Sequence, residues 1–230
     1  MRLAVLYSGG KDSNLALYRL VREGHEIASL LTVIPAKPDS WMFHRPNVEF
    51  AGLQAECMRF PWRCLRVSGE KEKEVTELIP VLSHLKDQLK IEGIATGAIA
   101  SNYQKSRVEK LCAALGLNPL SPLWGMPELG LLAEILSLKF EVYFTSVSAE
   151  GLDKEWLGKM LDWSRVERLL KLQEKYGLNP SGEGGEYETF VCDSPLFKKK
   201  LKVLEAETVW HHNSGTWNIK RLQVVEKSYP

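Results

Sequence analysis

The chain has 230 residues with 30 basic and 29 acidic side chains, a formal net charge of +1. That length suits one large domain or two small ones, and the charge balance argues against a dedicated nucleic-acid binder, which carries a basic excess. Hydrophobic residues at 44% and charged residues at 26% exclude global disorder.

In chain order, Leu3–Tyr7 reads as a buried strand and Asp12–Glu23 as a helix stopped by Gly24. Ile27–Ile34 is a second apolar run. Pro35–Pro46 is a loop whose prolines continue neither helix nor strand. It holds Trp41, Phe43 and His44, which suit either a lid or surface packing. Val48–Phe60 is predicted helical, Cys64–Val67 a strand, and Glu70–Lys90 a helix bent near Pro80. Gly93–Gly97 is a strand and Ser101–Leu115 a helix closed by Gly116. Alternating strands and helices imply a parallel sheet covered by helices.

A boundary is expected near Pro122–Pro127, dividing residues 1–124 from 125–230. Beyond it, Leu129–Ser137 is predicted helical, Glu141–Val147 extended, and Ser164–Tyr176 an amphipathic helix. Gly177–Gly185 is a glycine-rich loop, and Leu201–Glu226 gives a hairpin turning at His211–Gly215. The fold class is thus α/β: a Rossmann-like parallel sheet, then a smaller mixed α+β domain.

The four cysteines show no C-x-x-C pair, so neither a zinc knuckle nor a redox dithiol is indicated. His211 and His212 point to opposite faces of a strand and make a poor metal pair. Lys198–Lys200 reads as a solvated edge. No apolar run reaches the roughly 18 residues of a membrane span, and the N-terminal apolar run is too short for a signal peptide. The expectation is a reduced, cytoplasmic protein with no membrane partner; a homo-oligomer stays open.

Ser8-Gly9-Gly10-Lys11-Asp12-Ser13 lies between the first strand and first helix. Glycines there admit a ligand close to the backbone. The helix start offers N–H groups and a positive dipole end to phosphate, and hydroxyls can donate to its oxygens. It is not G-x-x-x-x-G-K-[ST]. An acid among phosphate ligands needs a cation between, so Asp12 suggests magnesium. A cap at Asp12 or Ser13 accounts for one residue but not for the string.

Gly97 ends the fourth strand, and Asn102, Tyr103, Gln104, Arg107 and Glu109 lie on the next helix. Arg107 can neutralise phosphate, although a solvated face explains Arg107 and Glu109 equally well. In Gly182-Glu183-Gly184-Gly185-Glu186-Tyr187-Glu188-Thr189, Glu186 and Glu188 share a face if the segment is extended. Paired acids there can bind magnesium or a cationic substrate, or steer an amine. A flexible acidic loop is the plainer account, but a solvated loop needs no such density of like charges, which favours a functional reading.

The SGGKDS string resembles the PP-loop of the N-type ATP pyrophosphatases, an adenine nucleotide alpha hydrolase-like fold. Together with Gly97–Glu109, Asn118–Trp124 and Gly182–Lys200, it resembles the diphthine–ammonia ligases. That resemblance implies ATP-dependent amidation of diphthine on translation elongation factor 2, through an acyl-adenylate, with release of AMP and pyrophosphate. It implies that Ser8, Gly9, Gly10, Lys11, Asp12 and Ser13 hold pyrophosphate and magnesium, with catalytic roles for Asp12, Arg107, Glu183, Glu186 and Glu188. Gly97 and Arg107 would border the adenylate, with Thr32 and Val33 near adenine by fold analogy. Asn102, Tyr103, Gln104, Glu109, Tyr187 and Thr189 would lie on the substrate side. Glu183, Glu186 and Glu188, with the Tyr187 ring, would face the quaternary ammonium of diphthine. No cysteine has an evident partner for a glutaminase, and the chain leaves no room for one, so free ammonia is the expected nitrogen source. The rival readings are a transfer-RNA-modifying pyrophosphatase, whose sulfur chemistry would want paired cysteines, and a non-catalytic nucleotide sensor.

Overall fold

The structure, a computed structural model, describes residues 1–36, 47–70 and 73–227. Trp41, Phe43 and His44 of the proline-bounded loop lie outside the described residues.

The first half runs β1 (Arg2–Leu6), α1 (Lys11–Arg22), β2 (Glu26–Pro35), α2 (Ala51–Met58), β3 (Trp62–Val67), α3 (Lys73–Leu89), β4 (Gly93–Ala95), α4 (Asn102–Leu115) and β5 (Asn118–Leu120). The five strands form a parallel sheet in the order β3-β2-β1-β4-β5. Each parallel pairing needs a crossover, and the helices supply them. Both faces are covered, so the strands read as apolar runs. Side chains alternate across β1: Ala4 packs with Leu78, Leu82, Val108 and Leu111 of α3 and α4. Leu3 and Val5 face Leu15, Leu17 and Leu20 of α1 on the other side.

The second half runs α5 (Glu128–Ser137), β6 (Glu141–Val147), α6 (Trp163–Tyr176), β7 (Tyr187–Asp193), β8 (Lys199–His211) and β9 (Ser214–Glu226). Its antiparallel sheet has the order β7-β6-β9-β8. The α1 side of the first sheet and the inner face of the second share one core, which runs from Leu3 and Leu17 to Phe144, Phe190 and Val191. This shared core sets β7 against α1.

Local chemistry marks the helix ends. Ser101 caps α4 by accepting from the Gln104 N–H, and Asp162 caps α6 by accepting from the Arg165 N–H. Gly116 and Gly177 close these helices in the left-handed conformation, with φ of 61° and 71°. The hairpin is present, and pairing of His211 with Ser214 leaves a two-residue turn at its tip.

Other expectations change. Val48–Phe60 is a 3₁₀ turn at Val48–Phe50 followed by α2, which stops where Arg59 takes a φ of 62°. The third helix begins at Lys73 and carries Pro80 within it. β4 ends at Ala95 rather than Gly97. Two strands add to the elements expected from sequence. β5 is three residues at the sheet edge, where the missing donor of Pro119 is tolerated, and β7 begins inside the acidic segment. Lys199 and Lys200 belong to β8 and pair with Glu226 and Glu141, so the lysine run is not wholly solvated. Among the described residues, no helix is long and apolar enough to cross a membrane, and no cluster of three or more His, Cys, Asp or Glu is placed to hold a metal.

Because one core joins both sheets, urea unfolding monitored by fluorescence and by circular dichroism should give a single coincident transition. Leu17→Ala, at a fully buried position of that core, should lower the unfolding free energy by about 2–5 kcal/mol.

A candidate active site where the second sheet clamps a glycine loop

The chain leaves β1 at Leu6 and turns through Ser8, Gly9 and Gly10 into α1. Gly9 has a φ of 85°, and a Cβ there would lie 2.3 Å from Gln54 Oε1; only glycine fits. Gly10 is the N-cap and makes no side-chain cap bond, so the cap reading of Asp12 or Ser13 does not hold. Asn14 closes the loop from inside the helix. Its Nδ2 donates to Gly10 O at 3.0 Å, and its Oδ1 accepts from the buried Tyr7 hydroxyl at 2.9 Å. Burial raises the Tyr7 phenol far above its ordinary range, which keeps it a donor. The Ser8 and Ser13 hydroxyls lie 3.3 Å apart.

The loop is held from behind by β7. Val191 N donates to Gly9 O at 3.1 Å, and Lys11 N donates to Thr189 Oγ1 at 3.1 Å. The buried Gln54 amide donates to both Gly9 O, at 2.9 Å, and Val191 O, at 2.7 Å. Sequence reasoning missed Gln54. Its signal was a polar side chain on the inner face of a short helix, among Ala51, Ala55 and Cys57.

These elements open a cleft of about 940 Å³, counting its solvent-filled mouth. Ser8, Gly10, Lys11, Asp12 and Ser13 form one wall, and Gly97 and Gln104 a second. Glu183, Tyr187, Glu188 and Thr189 close it from the other half of the chain. Leu31, Val33 and Val48 give it an apolar end. Gly97 is required where it stands, because a Cβ would come within 2.9 Å of the backbone of Asp12 and Ser13. The Lys11 ammonium is buried, bonds both Asp12 carboxylate oxygens at 2.9 Å, and lies 5.3 Å from the Tyr187 ring centroid.

The acidic segment is split by its own strand boundary. β7 starts at Tyr187, so the period-two alternation does not extend back to Glu186. Glu188 lines the cleft. Glu186 instead folds onto its own loop, where Oε1 accepts from Asn179 N at 3.1 Å and Oε2 is buried. Glu183 reaches across to the other half, where Oε1 accepts from the N–H groups of Ile99, Ala100 and Ser101 at 2.9–3.1 Å. The Tyr187 hydroxyl donates to Pro180 O at 2.6 Å, and burial first, then Asp12 and Glu186, holds its phenol well above the usual range.

Some expected residues lie apart from the cleft lining. Alternation along β2 turns Thr32 to the face opposite Leu31 and Val33. There its hydroxyl donates to Tyr7 O and accepts from Trp62 Nε1, both at 2.8 Å. Gly9 stands behind the loop. The Arg107 guanidinium stacks on the Tyr103 ring, 3.3 Å from its centroid, and donates to Tyr103 O. Asn102, Tyr103 and Glu109 also fall outside the lining residues, because only one face of α4, with Gln104 and Val108, meets the cleft. Burial raises the Cys57 and Cys112 thiols to about 11 and Cys192 further, so these three stay protonated at neutral pH and are poor nucleophiles.

Gln54→Leu keeps the shape but deprives two buried carbonyls of their shared donor. It should cost about 1–3 kcal/mol in urea unfolding.

The two halves that form this cleft each match a family model. The Diphthamide synthase N-terminal domain matches residues 1–119, and the Diphthamide synthase C-terminal domain matches residues 127–225. A diphthine–ammonia ligase of Bos taurus is 39% identical over 98% of this chain and 91% of its own length. That of Homo sapiens is 38% identical with the same coverage. The Schizosaccharomyces pombe protein of that name is 35% identical over 100% of this chain and 40% of its own length. A solved structure described as a predicted subunit of tRNA methyltransferase from Methanocaldococcus jannaschii aligns with a TM-score of 0.43 at 18% identity, covering 85% of this chain and 98% of that one. With both halves matched and the relatives aligned along nearly its whole length, this chain belongs to the diphthamide synthase family.

Proposed function

We propose that this chain is a ligase that amidates diphthine on translation elongation factor 2, using ATP and free ammonia and working in the cytoplasm. The observation that carries the reading is that the cleft lies between two halves that each match the diphthamide synthase family, with the glycine loop on one wall and Glu188 and Thr189 on the other. Residues 1–124 serve as the ATP-binding unit and 125–230 as the unit that faces the modified histidine.

The chemistry follows from the leaving groups. A carboxylate does not react with ammonia, because oxide would have to leave. In the first step a diphthine carboxylate oxygen attacks the α-phosphorus of ATP. The bond to pyrophosphate breaks, and an acyl-adenylate forms. In the second step the ammonia nitrogen attacks the acyl carbon, the bond to AMP breaks, and the nitrogen gives up a proton. Diphthamide and AMP result.

The residues divide this work by position. The loop Ser8–Gly10 and the first turn of α1 receive the pyrophosphate end, where backbone N–H groups and the helix dipole favour negative charge. Leu31, Val33 and Val48 receive the base. Gly97 lets the nucleotide side of β4 approach α1. Glu188, the carboxylate of β7 that faces the cleft, accepts the proton lost by the nitrogen. Glu183 and Glu186 act as positioning residues that hold the loops around the site, and Thr189 holds the start of α1.

Magnesium fits this donor set through Asp12. The ion commonly takes one or two carboxylates and completes its shell with phosphate oxygens and water. Asp12 offers one carboxylate beside the loop that receives pyrophosphate, in place of its contact with Lys11. Bound there, magnesium would neutralise charge on the departing pyrophosphate.

The test is to incubate the protein with ATP, magnesium, ammonium and diphthine-modified elongation factor 2, then measure the mass of the factor and the nucleotide released. Loss of about 1 Da from the factor with stoichiometric AMP is expected; formation of ADP, or no mass change, defeats the reading. Gly97→Ala, which forces a Cβ against the backbone of α1, should raise the KM for ATP at least tenfold in this assay while leaving the KM for the factor within about twofold.

A further inference from the structure

The Gly10–Lys11 peptide is held at both ends. Its carbonyl, Gly10 O, accepts from three donors of α1: Asn14 N at 3.1 Å, Asn14 Nδ2 at 3.0 Å and Ser13 Oγ at 3.1 Å. Its N–H, on Lys11, donates to Thr189 Oγ1 of β7 at 3.1 Å. A peptide group is planar, so bonds at the carbonyl and at the N–H together fix the plane. That plane is the step from the glycine loop into the first turn of α1, and it sets where the N–H groups that follow are aimed.

The Asn14 amide is the one donor of the three that can turn over. It carries an oxygen on one side and an NH2 on the other. With Nδ2 toward Gly10 O, a donor meets an acceptor. Turned over, Oδ1 would face Gly10 O, two acceptors in a buried place, which is costly. Tyr7 decides between the two orientations. Its hydroxyl donates to Asn14 Oδ1 at 2.9 Å, and burial keeps the phenol protonated. Tyr7 is fixed in turn by β2: its N–H donates to Leu31 O at 2.9 Å, and its carbonyl accepts from Thr32 Oγ1 at 2.8 Å. The bonds run from the parallel sheet through a phenol and an amide to the loop. Both side chains are buried. Asn14 is not among the described residues that line the cleft, so it meets a ligand only through the loop.

We propose that Tyr7 and Asn14, which flank the SGGKDS string, are a positioning pair for the nucleotide. The phenol orients the amide, and the amide holds the Gly10–Lys11 peptide so that the front of the loop is preset for the pyrophosphate end of ATP. A preset loop loses little freedom when its ligand arrives, and that strengthens binding. The proposal rests on the part of the reading above in which the loop receives that end of ATP.

The test measures binding of magnesium–ATP, and of AMP, which lacks the pyrophosphate end, to the full chain by titration calorimetry, beside the amidation assay. Wild-type binding of ATP without amidation defeats the reading of function and leaves the pair to be decided by the dissociation constants; no wild-type binding of ATP defeats both. Tyr7→Phe removes one oxygen and should raise the Kd for ATP about fivefold, and Asn14→Leu, which removes the amide at similar volume, about tenfold, the size expected for one hydrogen bond. Asn14→Asp keeps the acceptor for Tyr7 but sets a carboxylate against Gly10 O, and should weaken ATP at least as much as Asn14→Leu. The Kd for AMP should stay within about twofold throughout, because the loop meets the end that AMP lacks. Tyr7 also borders the cleft, and a double-mutant cycle separates a direct contact from one carried by Asn14: in the Asn14→Leu background, Tyr7→Phe should add less than about twofold. Circular dichroism melts establish that each variant is folded; if Asn14→Leu is not, Tyr7→Phe and Asn14→Asp decide by the comparison of ATP with AMP. An unchanged Kd for ATP in the folded variants, equal losses for ATP and AMP, or a full effect of Tyr7→Phe without Asn14 would overturn the proposal.

Discussion

The site depends on one constraint: a glycine loop whose front faces the cleft has to be held from behind. The carbonyl of Gly9 meets that need. It accepts from the Val191 N–H of β7 and from the Gln54 amide of α2, while Thr189 takes the first N–H of α1. The contacts lie on the back of the loop and leave its front to the cleft. Gly9 then needs its left-handed φ because Gln54 stands where a side chain would go.

That clamp couples the halves of the chain. A parallel sheet with helices on both faces is a common nucleotide platform, but here one face is completed by the core of an antiparallel sheet. Glu183 adds a second tie by accepting from three successive N–H groups ahead of α4. Converging N–H groups of this kind favour an anion, and a carboxylate from the other half supplies it. The cleft walls are therefore positioned by contacts between residues more than 80 apart in sequence.

Much of the fold was legible because it is written locally. Apolar runs of four to eight residues, with helical periods between them, give the parallel sheet. Ser101, Gly116 and Gly177 mark helix ends by their own chemistry. The SGGKDS string shows its place between strand and helix by its glycines. β5 was hidden for the same reason in reverse: Asn118–Leu120 has no strand pattern of its own and is extended because β4 pairs with it. Tyr187–Asp193 does carry strand-favouring Tyr, Thr, Phe and Val, but its start within the acidic glycine segment is set by pairing with β6.

By itself the sequence determined the α/β class, the position of the glycine loop, and the segments by which the chain resembles its family. The tertiary structure decided which side chains reach the cleft. Of the three acids in the glycine segment, Glu183 and Glu188 line it and Glu186 does not. Glu183 and Glu186 are spent on the N–H groups of distant or neighbouring loops, Thr32 is turned away by strand alternation, and Gln54 is recruited. A carboxylate has the same chemistry in sequence whether it meets a ligand, an N–H group or water. The choice among these is made by partners that only folding brings within 3 Å or so, where a hydrogen bond forms.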